Sequence, residues 1–169
     1  MLSPRMQAAL NKQVNAELFS SYLYLSMSAY FESTSMAGMA QWVRIQAQEE
    51  LGHAMKFYDY INERNGRVAL AQIESPKTEW KSPLDVFEDI YAHEQKVTAL
   101  IHGLVDLAIA EKDHATETFL QWFVTEQVEE ESAAATLVDR LKLVGDNGVA
   151  HFMLDGQLGQ RAPTPAAGE

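Results

Sequence analysis

The chain lacks cysteine altogether and has few positive charges. Without cysteine there can be no disulfide and no thiolate metal site, so any bound metal must be held by Glu, Asp or His; this composition is compatible with a reducing cytoplasm. Lys and Arg number 13 against 24 Asp and Glu, for a formal net charge of −11. A surface of this sign repels phosphates, which argues against nucleic-acid binding, and attracts small cations.

Long hydrophobic runs are also missing. No stretch approaches the ~18 continuous apolar residues of a membrane span, so no membrane association is expected. Residues 1–13 contain no apolar run ahead of a cleavage site, which predicts no signal peptide and a cytoplasmic protein. A length of 169 residues indicates one domain with a sizeable core.

Helical patterns fill most of the chain. Ser3-Pro4 and Ser82-Pro83 each combine a helix N-cap with proline at the first helical position. Short breaks fall at 33–35, 65–66 and 111–114. The sequence predicts four long helices and a short weak fifth, over about 4–32, 36–64, 83–110, 115–144 and 149–159.

The connections between these helices predict the topology. Helices joined by a tight turn are antiparallel neighbours, which applies to the first pair and to the second pair. The connection over 65–82 has 18 residues and spans at most about 60 Å, enough to return along a whole helix. We therefore expect an all-α fold: a four-helix bundle with one long crossover plus a short C-terminal fifth helix, over 1–160, followed by a disordered tail over 161–169.

A carboxylate interrupts the apolar seam of each long helix, near its middle. These residues are Glu17, Glu50, Glu94 and Glu130. An ionised carboxylate in a core is costly, and four at one level repel one another. The seams contain no Lys or Arg, whereas a pair of divalent cations would neutralise the cluster. His53 follows Glu50 by three residues, so both side chains can reach one ion from the same helix face.

The polar positions also repeat along the chain. Glu94, Glu126 and Gln127 each lie 77 residues after an acidic residue, namely Glu17, Glu49 and Glu50. The surrounding sequence barely repeats, which indicates a functional symmetry between two hairpins. A single buried glutamate would favour a structural role; four at one level favour a site. Tyr24 is interpreted as a packing residue near that site, with a redox role as the alternative.

The motifs that carry these residues resemble those of the ferritins, in particular the bacterial-type non-haem ferritins. The resemblance extends over about residues 3–160. It is carried by four stretches: NAELFSSYLYLSMSAYFE, QEELGHAMKFYDYINERNG, HEQKVT and FLQWFVTEQVEEE.

The resemblance implies a dinuclear ferroxidase centre and its ligands. At the matching positions a first iron would be held by Glu17, Glu50 and His53. A second iron, bridged by Glu50, would be held by Glu94 and Glu130, with Gln127 close by. Many prokaryotic members have a third iron site, and the residues matching it are Glu49, Glu126 and Glu129. The family further implies 24 chains in a hollow shell, in which Fe(II) is oxidised by dioxygen or hydrogen peroxide and stored as ferric oxyhydroxide.

Two departures from related families refine this expectation. Di-iron bundle enzymes and haem-containing bacterioferritins have a second Glu-x-x-His on the fourth helix, where this chain has Gln127 and Glu130. The second iron would thus have oxygen ligands only and bind less tightly, so the centre is expected to pass iron onward. Haem-binding bacterioferritins place methionine just before the second-helix histidine, whereas this chain has Gly52, which predicts no haem.

Three other functions compete with iron storage. A di-iron enzyme acting on peroxide or an organic substrate, similar to rubrerythrin, would usually add a Cys-rich module or a second histidine. A purely structural or signalling bundle is opposed by the charged seams. A DNA-binding mini-ferritin is disfavoured because there is no basic tail and because its metal site lies between subunits.

Overall fold

The computed structural model describes residues 1–163, and they form five α-helices. The helices are α1 (Pro4–Ser33), α2 (Ala37–Glu63), α3 (Pro83–Glu111), α4 (His114–Val144) and α5 (Gly148–Leu158). The all-α prediction, the four long helices and the short C-terminal helix are confirmed. Most of the predicted disordered tail, residues 164–169, lies outside the described residues. Within residues 1–163, no helix combines the length and hydrophobicity that crossing a membrane requires.

Side-chain caps explain where the helices begin. The Ser3 hydroxyl accepts a hydrogen bond from the Met6 backbone N–H, and Ser82 does the same for Asp85 at the start of α3. Both helices have proline in the first turn, where a missing N–H costs nothing. The cap at the start of α4 is Asp113, which accepts from the Thr116 backbone N–H.

Left-handed residues close the turns between the helices. Ser35, Asn65 and Lys112 have φ values of 61°, 55° and 56°. The second tight turn is shorter than expected, because Lys112 ends α3 in the left-handed region and the next residue already caps α4. The four residues 111–114 therefore include one residue of each helix rather than forming a separate turn.

The long crossover returns along the bundle without helix and is fixed by side chains near its end. The Ser26 hydroxyl on α1 donates to the Lys77 carbonyl at 2.7 Å. The Lys77 ammonium and the Trp80 indole N–H both donate to one oxygen of Asp89 on α3, at 2.7 Å and 2.8 Å. The crossover thus joins the two antiparallel hairpins, α1–α2 and α3–α4.

The core consists of two apolar clusters separated by a polar layer. One cluster includes Tyr24, Phe31 and Phe87, and the other includes Phe57 and Phe123. Along each of the four long helices, the buried glutamate lies between the residues of the two clusters. The bundle therefore buries its charges at mid-height, where apolar packing shields them from solvent on both sides.

The short helix α5 packs across the start of α2. A Cβ added to Gly38 would lie 1.8 Å from the carbonyl oxygen of Asp155, so only glycine permits this approach. The Asp155 carboxylate accepts a hydrogen bond from the Met39 backbone N–H at 2.8 Å. Two leucines of α5, Leu154 and Leu158, complete the first cluster.

Candidate metal centre

Each long helix contributes one buried glutamate to the polar layer. Glu17, Glu50 and Glu94 are 1% exposed and Glu130 is 8% exposed. Their positions follow from the seam spacing, since each occupies the inward face of its helix between two apolar turns. The four carboxylates that the sequence singled out are therefore all inside the bundle.

The α1–α2 hairpin brings three metal-ligand types together. Glu17, Glu50 and His53 can each place one ligand atom within 4.8 Å of the others. The His53 Nδ1 atom lies 3.5 Å from Glu50 Oε2. Among residues 1–163, neither Glu17 Oε2 nor Glu50 Oε1 has a hydrogen-bond partner although both are buried. Such oxygens are costly unless a proton or a cation satisfies them, and two carboxylates with one imidazole suit a divalent transition metal.

The two buried carboxylates of the α3–α4 hairpin, Glu94 and Glu130, accept hydrogen bonds from neighbouring side chains. The Tyr24 hydroxyl donates to Glu94 Oε1, and the Gln127 amide donates to Glu94 Oε2 at 3.0 Å. The Gln46 amide donates to Glu130 Oε2 at 2.7 Å. A metal that binds Glu94 or Glu130 has to displace or share these donors.

Burial raises the pKa of the carboxyl groups in this layer. For Glu17 the effect of burial is reinforced by the charge of Glu50. For Glu50 it is reinforced by Glu94 and Glu130, and its pKa is well above the ordinary value. The pKa of Glu130 rises to about 7, first because of burial and then because of Glu94. Without metal the layer therefore holds protons, which a bound cation would release.

Two glutamines in this layer were missed by the sequence analysis. Gln13 is buried and donates to Glu17 Oε1 at 2.7 Å. Gln46, also buried, reaches Glu130 across the bundle. Each precedes a seam glutamate by four residues, Glu17 in one case and Glu50 in the other. That repeated Gln-x-x-x-Glu spacing was the available signal, because residues four apart share a helix face.

The three residues matched to a third iron site lie at the edge of the layer. Glu126 Oε1 is 3.9 Å from His53 Nε2, and Glu129 is exposed. Glu49 Oε2 lies 2.6 Å from a guanidinium nitrogen of Arg161. Within the described part of the chain, these three carboxylates do not converge as closely as Glu17, Glu50 and His53 do.

The aromatic and imidazole neighbours of the layer are packed side chains. Tyr24 is fully buried, and its pKa is well above the ordinary value because of burial and the Glu94 charge. His93 Nε2 lies 2.8 Å from Ser20 Oγ, and burial together with Lys96 lowers the His93 pKa to about 4. His93 is therefore neutral.

Comparison with known proteins agrees with this geometry. The ferritin family, described as a ferritin-like domain, matches residues 7–144. The chain belongs to the ferritin family. The chain is 50% identical to the bacterial non-heme ferritin of Bacteroides fragilis over 161 residues, which cover 95% of the chain and all of that relative. The bacterial non-heme ferritin of Staphylococcus haemolyticus is 42% identical, with 96% and 98% of the two chains covered.

Solved ferritin structures superpose closely on the chain. An engineered closed form of the Archaeoglobus fulgidus ferritin has a TM-score of 0.96 and 51% identity, and the match covers 97% of this chain and all of that one. The open-pore ferritin of the same archaeon has a TM-score of 0.95 and 52% identity, with 95% and 98% covered. The relation therefore extends through the bundle and α5.

Proposed function

We propose that this ferritin oxidises Fe(II) to Fe(III) with dioxygen or hydrogen peroxide and stores ferric oxyhydroxide inside a shell of 24 chains. The observation that carries the proposal is the pair of buried carboxylate oxygens, on Glu17 and Glu50, that lack hydrogen bonds among residues 1–163 beside an imidazole. Because the long helices place further glutamates at the same level, the layer suits two ions rather than one.

The first iron binds to Glu17, Glu50 and His53. Glu17 Oε2 and Glu50 Oε1, which accept no hydrogen bond from residues 1–163, are available to it, and the imidazole increases the affinity for a transition metal. Binding releases the protons that burial otherwise retains on these carboxyls. Burial, and then the charges of Glu94 and Glu130, raise the pKa of Glu50. We infer that Glu50 also binds the second iron.

The second iron binds to Glu94 and Glu130, with Gln127 close by. Its ligands are oxygens, and the donors from Tyr24, Gln127 and Gln46 have to yield, so Fe(II) is held less tightly here. Hard carboxylates stabilise Fe(III) over Fe(II) and so favour oxidation. Two Fe(II) ions side by side each give one electron to dioxygen, which takes up two protons and leaves as hydrogen peroxide.

Further features of the proposal come from the family. Glu49, Glu126 and Glu129 take a third iron on its way to the storage cavity, and Tyr24 has an accessory role through its hydrogen bond to Glu94. Haem is absent because Gly52 offers no side chain to ligate it. The protein works in the cytoplasm on Fe(II) with dioxygen or peroxide, and has no nucleic-acid or membrane partner.

The first test counts the Fe(II) ions oxidised per chain in the fast phase after air is admitted, and then follows whether further iron stays soluble. We expect about two or three fast ions per chain, followed by continued soluble loading. A fast phase without loading would favour a di-iron enzyme instead. No fast phase at all would refute the ferroxidase proposal.

A further inference from the structure

The segment that follows α5 reaches back towards the metal centre through one side chain, Arg161. Its guanidinium is 2.6 Å from Glu49 Oε2 and lies 4.7 Å from the centre of the Trp42 ring. The same group donates to the Trp42 carbonyl at 3.4 Å, while the Gln41 amide donates to the Arg161 carbonyl at 3.3 Å. All of these partners belong to α2, so the guanidinium has a defined position on that helix.

The carboxylate that Arg161 contacts influences the rest of the polar layer. Glu49 precedes Glu50 in the chain. Burial is the main cause that raises the pKa of Glu50, Glu126 and Glu130, and the charge of Glu49 adds a smaller effect in the same direction. A cation bound to Glu49 therefore reduces the negative potential where a third metal ion would bind. The ion pair is partly shielded, with side-chain exposures of 24% for Arg161 and 18% for Glu49, which makes it stronger than a fully solvated pair.

We propose that Arg161 is a positioning residue that competes with the third iron for the Glu49 carboxylate. This inference rests on the proposed function, because it presupposes iron binding at Glu49, Glu126 and Glu129. A third ion that takes Glu49 must break a charge-assisted hydrogen bond, and this makes the third site the weakest of the three. The displaced guanidinium remains on the Trp42 face, so it can return when the ion leaves. The segment after α5 thus favours the transfer of iron onward over its retention.

The test is an anaerobic calorimetric titration of the assembled protein with Zn(II), which binds without redox chemistry. In wild type we expect two tighter ions and one weaker ion per chain. Arg161→Gln should bind the third ion about tenfold more tightly and leave the first two unchanged, because it removes the competing cation. Arg161→Lys keeps the positive charge but lacks the planar guanidinium group. Its affinity for the third ion should lie between those of wild type and Arg161→Gln.

A matched control comes from another arginine in the same region. Arg140 on α4 lines a groove with Trp42 and Glu129. Arg140→Gln removes one positive charge from this groove and should change the third affinity less than about twofold. An equal gain of affinity for the third ion in Arg140→Gln and Arg161→Gln would overturn the inference, since it would show a general effect of charge.

Other outcomes separate this inference from the proposed function. The double variant Arg161→Gln, Glu129→Gln should lose the third ion. That loss would place the ion at Glu49, Glu126 and Glu129. If wild type and Arg161→Gln bind the third ion equally, or if no third ion binds in either, competition by Arg161 is wrong while the dinuclear centre stands. If wild type binds no pair of ions and shows no fast oxidation, the proposed function itself fails. Thermal melts of each variant check the fold, and Arg161→Lys provides the comparison should Arg161→Gln destabilise it.

Discussion

The α1–α2 hairpin and the α3–α4 hairpin contribute to one polar layer, but they hold their carboxylates in different states. In the first, Glu17 and Glu50 each have one buried oxygen without a hydrogen bond from the described residues, and His53 stands beside them. In the second, Glu94 and Glu130 accept hydrogen bonds from amide and phenol groups. The positions of Glu50 and His53 correspond to Gln127 and Glu130 after the 77-residue offset.

This difference indicates how one helical framework can give two unequal sites. A buried carboxylate oxygen without a donor, such as Glu17 Oε2 or Glu50 Oε1, has to be protonated or bound to a cation, so it favours a metal ion strongly. Both oxygens of Glu94 already have donors, so an ion gains less by binding that carboxylate. We therefore expect sequential loading, first at Glu17, Glu50 and His53 and then at Glu94 and Glu130.

The largest effect is expected from removing the residue shared by both halves. Glu50→Ala should slow fast Fe(II) oxidation on the order of 1000-fold, because loss of a mere outer partner of a metal site already costs about 10–100-fold. Stopped-flow absorbance measures the rate. The control is Glu74→Ala, an exposed glutamate of the crossover, which should oxidise iron normally. Wild-type speed in Glu50→Ala would show that the assignment of Glu50 is wrong.

The next effect concerns the stability of the metal-free protein against pH. Because the folded-state pKa of Glu130 is raised from 4.5 to about 7, its stabilising contribution is present below pH 4.5 and is lost as the pH rises through 7. The change is on the order of 3 kcal/mol per chain. Glu17 and Glu50, with pKa values raised by burial, act in the same direction.

Thermal melts between pH 4.5 and 8, with and without Zn(II), measure this dependence. Without metal, the melting temperature of Glu130→Gln should fall less steeply with rising pH than that of wild type. Zn(II) should remove most of the decrease seen in wild type. A wild-type curve that rises over this range in parallel with that of Glu130→Gln would contradict the pKa assignment.

A double substitution can test the asymmetry directly. Gln127→Glu with Glu130→His gives α4 the Glu-x-x-His pattern of α2 and should tighten the second ion about tenfold, because an imidazole replaces an oxygen ligand. Two ions per chain should then remain after gel filtration and mild chelation, whereas wild type should lose at least one. If both proteins retain the same number of ions, the ligand type does not cause the difference in affinity between the sites of the α1–α2 and α3–α4 hairpins.

The smallest effect is expected from the amide donors. Gln46→Ala removes the hydrogen bond to Glu130 and should destabilise the metal-free protein by about 1 kcal/mol near neutral pH. Denaturant unfolding measures the change, and Gln48→Ala on the exposed side of α2 is the matched control. The loss of stability caused by Gln46→Ala should be smaller when Zn(II) is bound, since the ion then neutralises the Glu130 carboxylate. A loss that persists with Zn(II) would assign Gln46 to packing alone.

Most of the fold was accessible from the sequence because its signals are local. Caps at Ser3 and Ser82 and the break at Asn65 each act within a few residues, and the helix bounds agree with them to within one or two residues. The one clear difference is the turn near Lys112, where a left-handed residue and a capping aspartate leave no room for a separate four-residue turn.

The sequence alone determined the helices, the crossover and the level at which the buried glutamates lie, because helical periodicity fixes which residues share a face and turn length fixes which helices are antiparallel. Only the tertiary structure decided which oxygens have donors. Gln46 reaches Glu130 from a residue 84 positions away, and Arg161 reaches Glu49 from 112 positions away. Such contacts depend on how helices pack side by side, and no periodic pattern within a single helix contains that information.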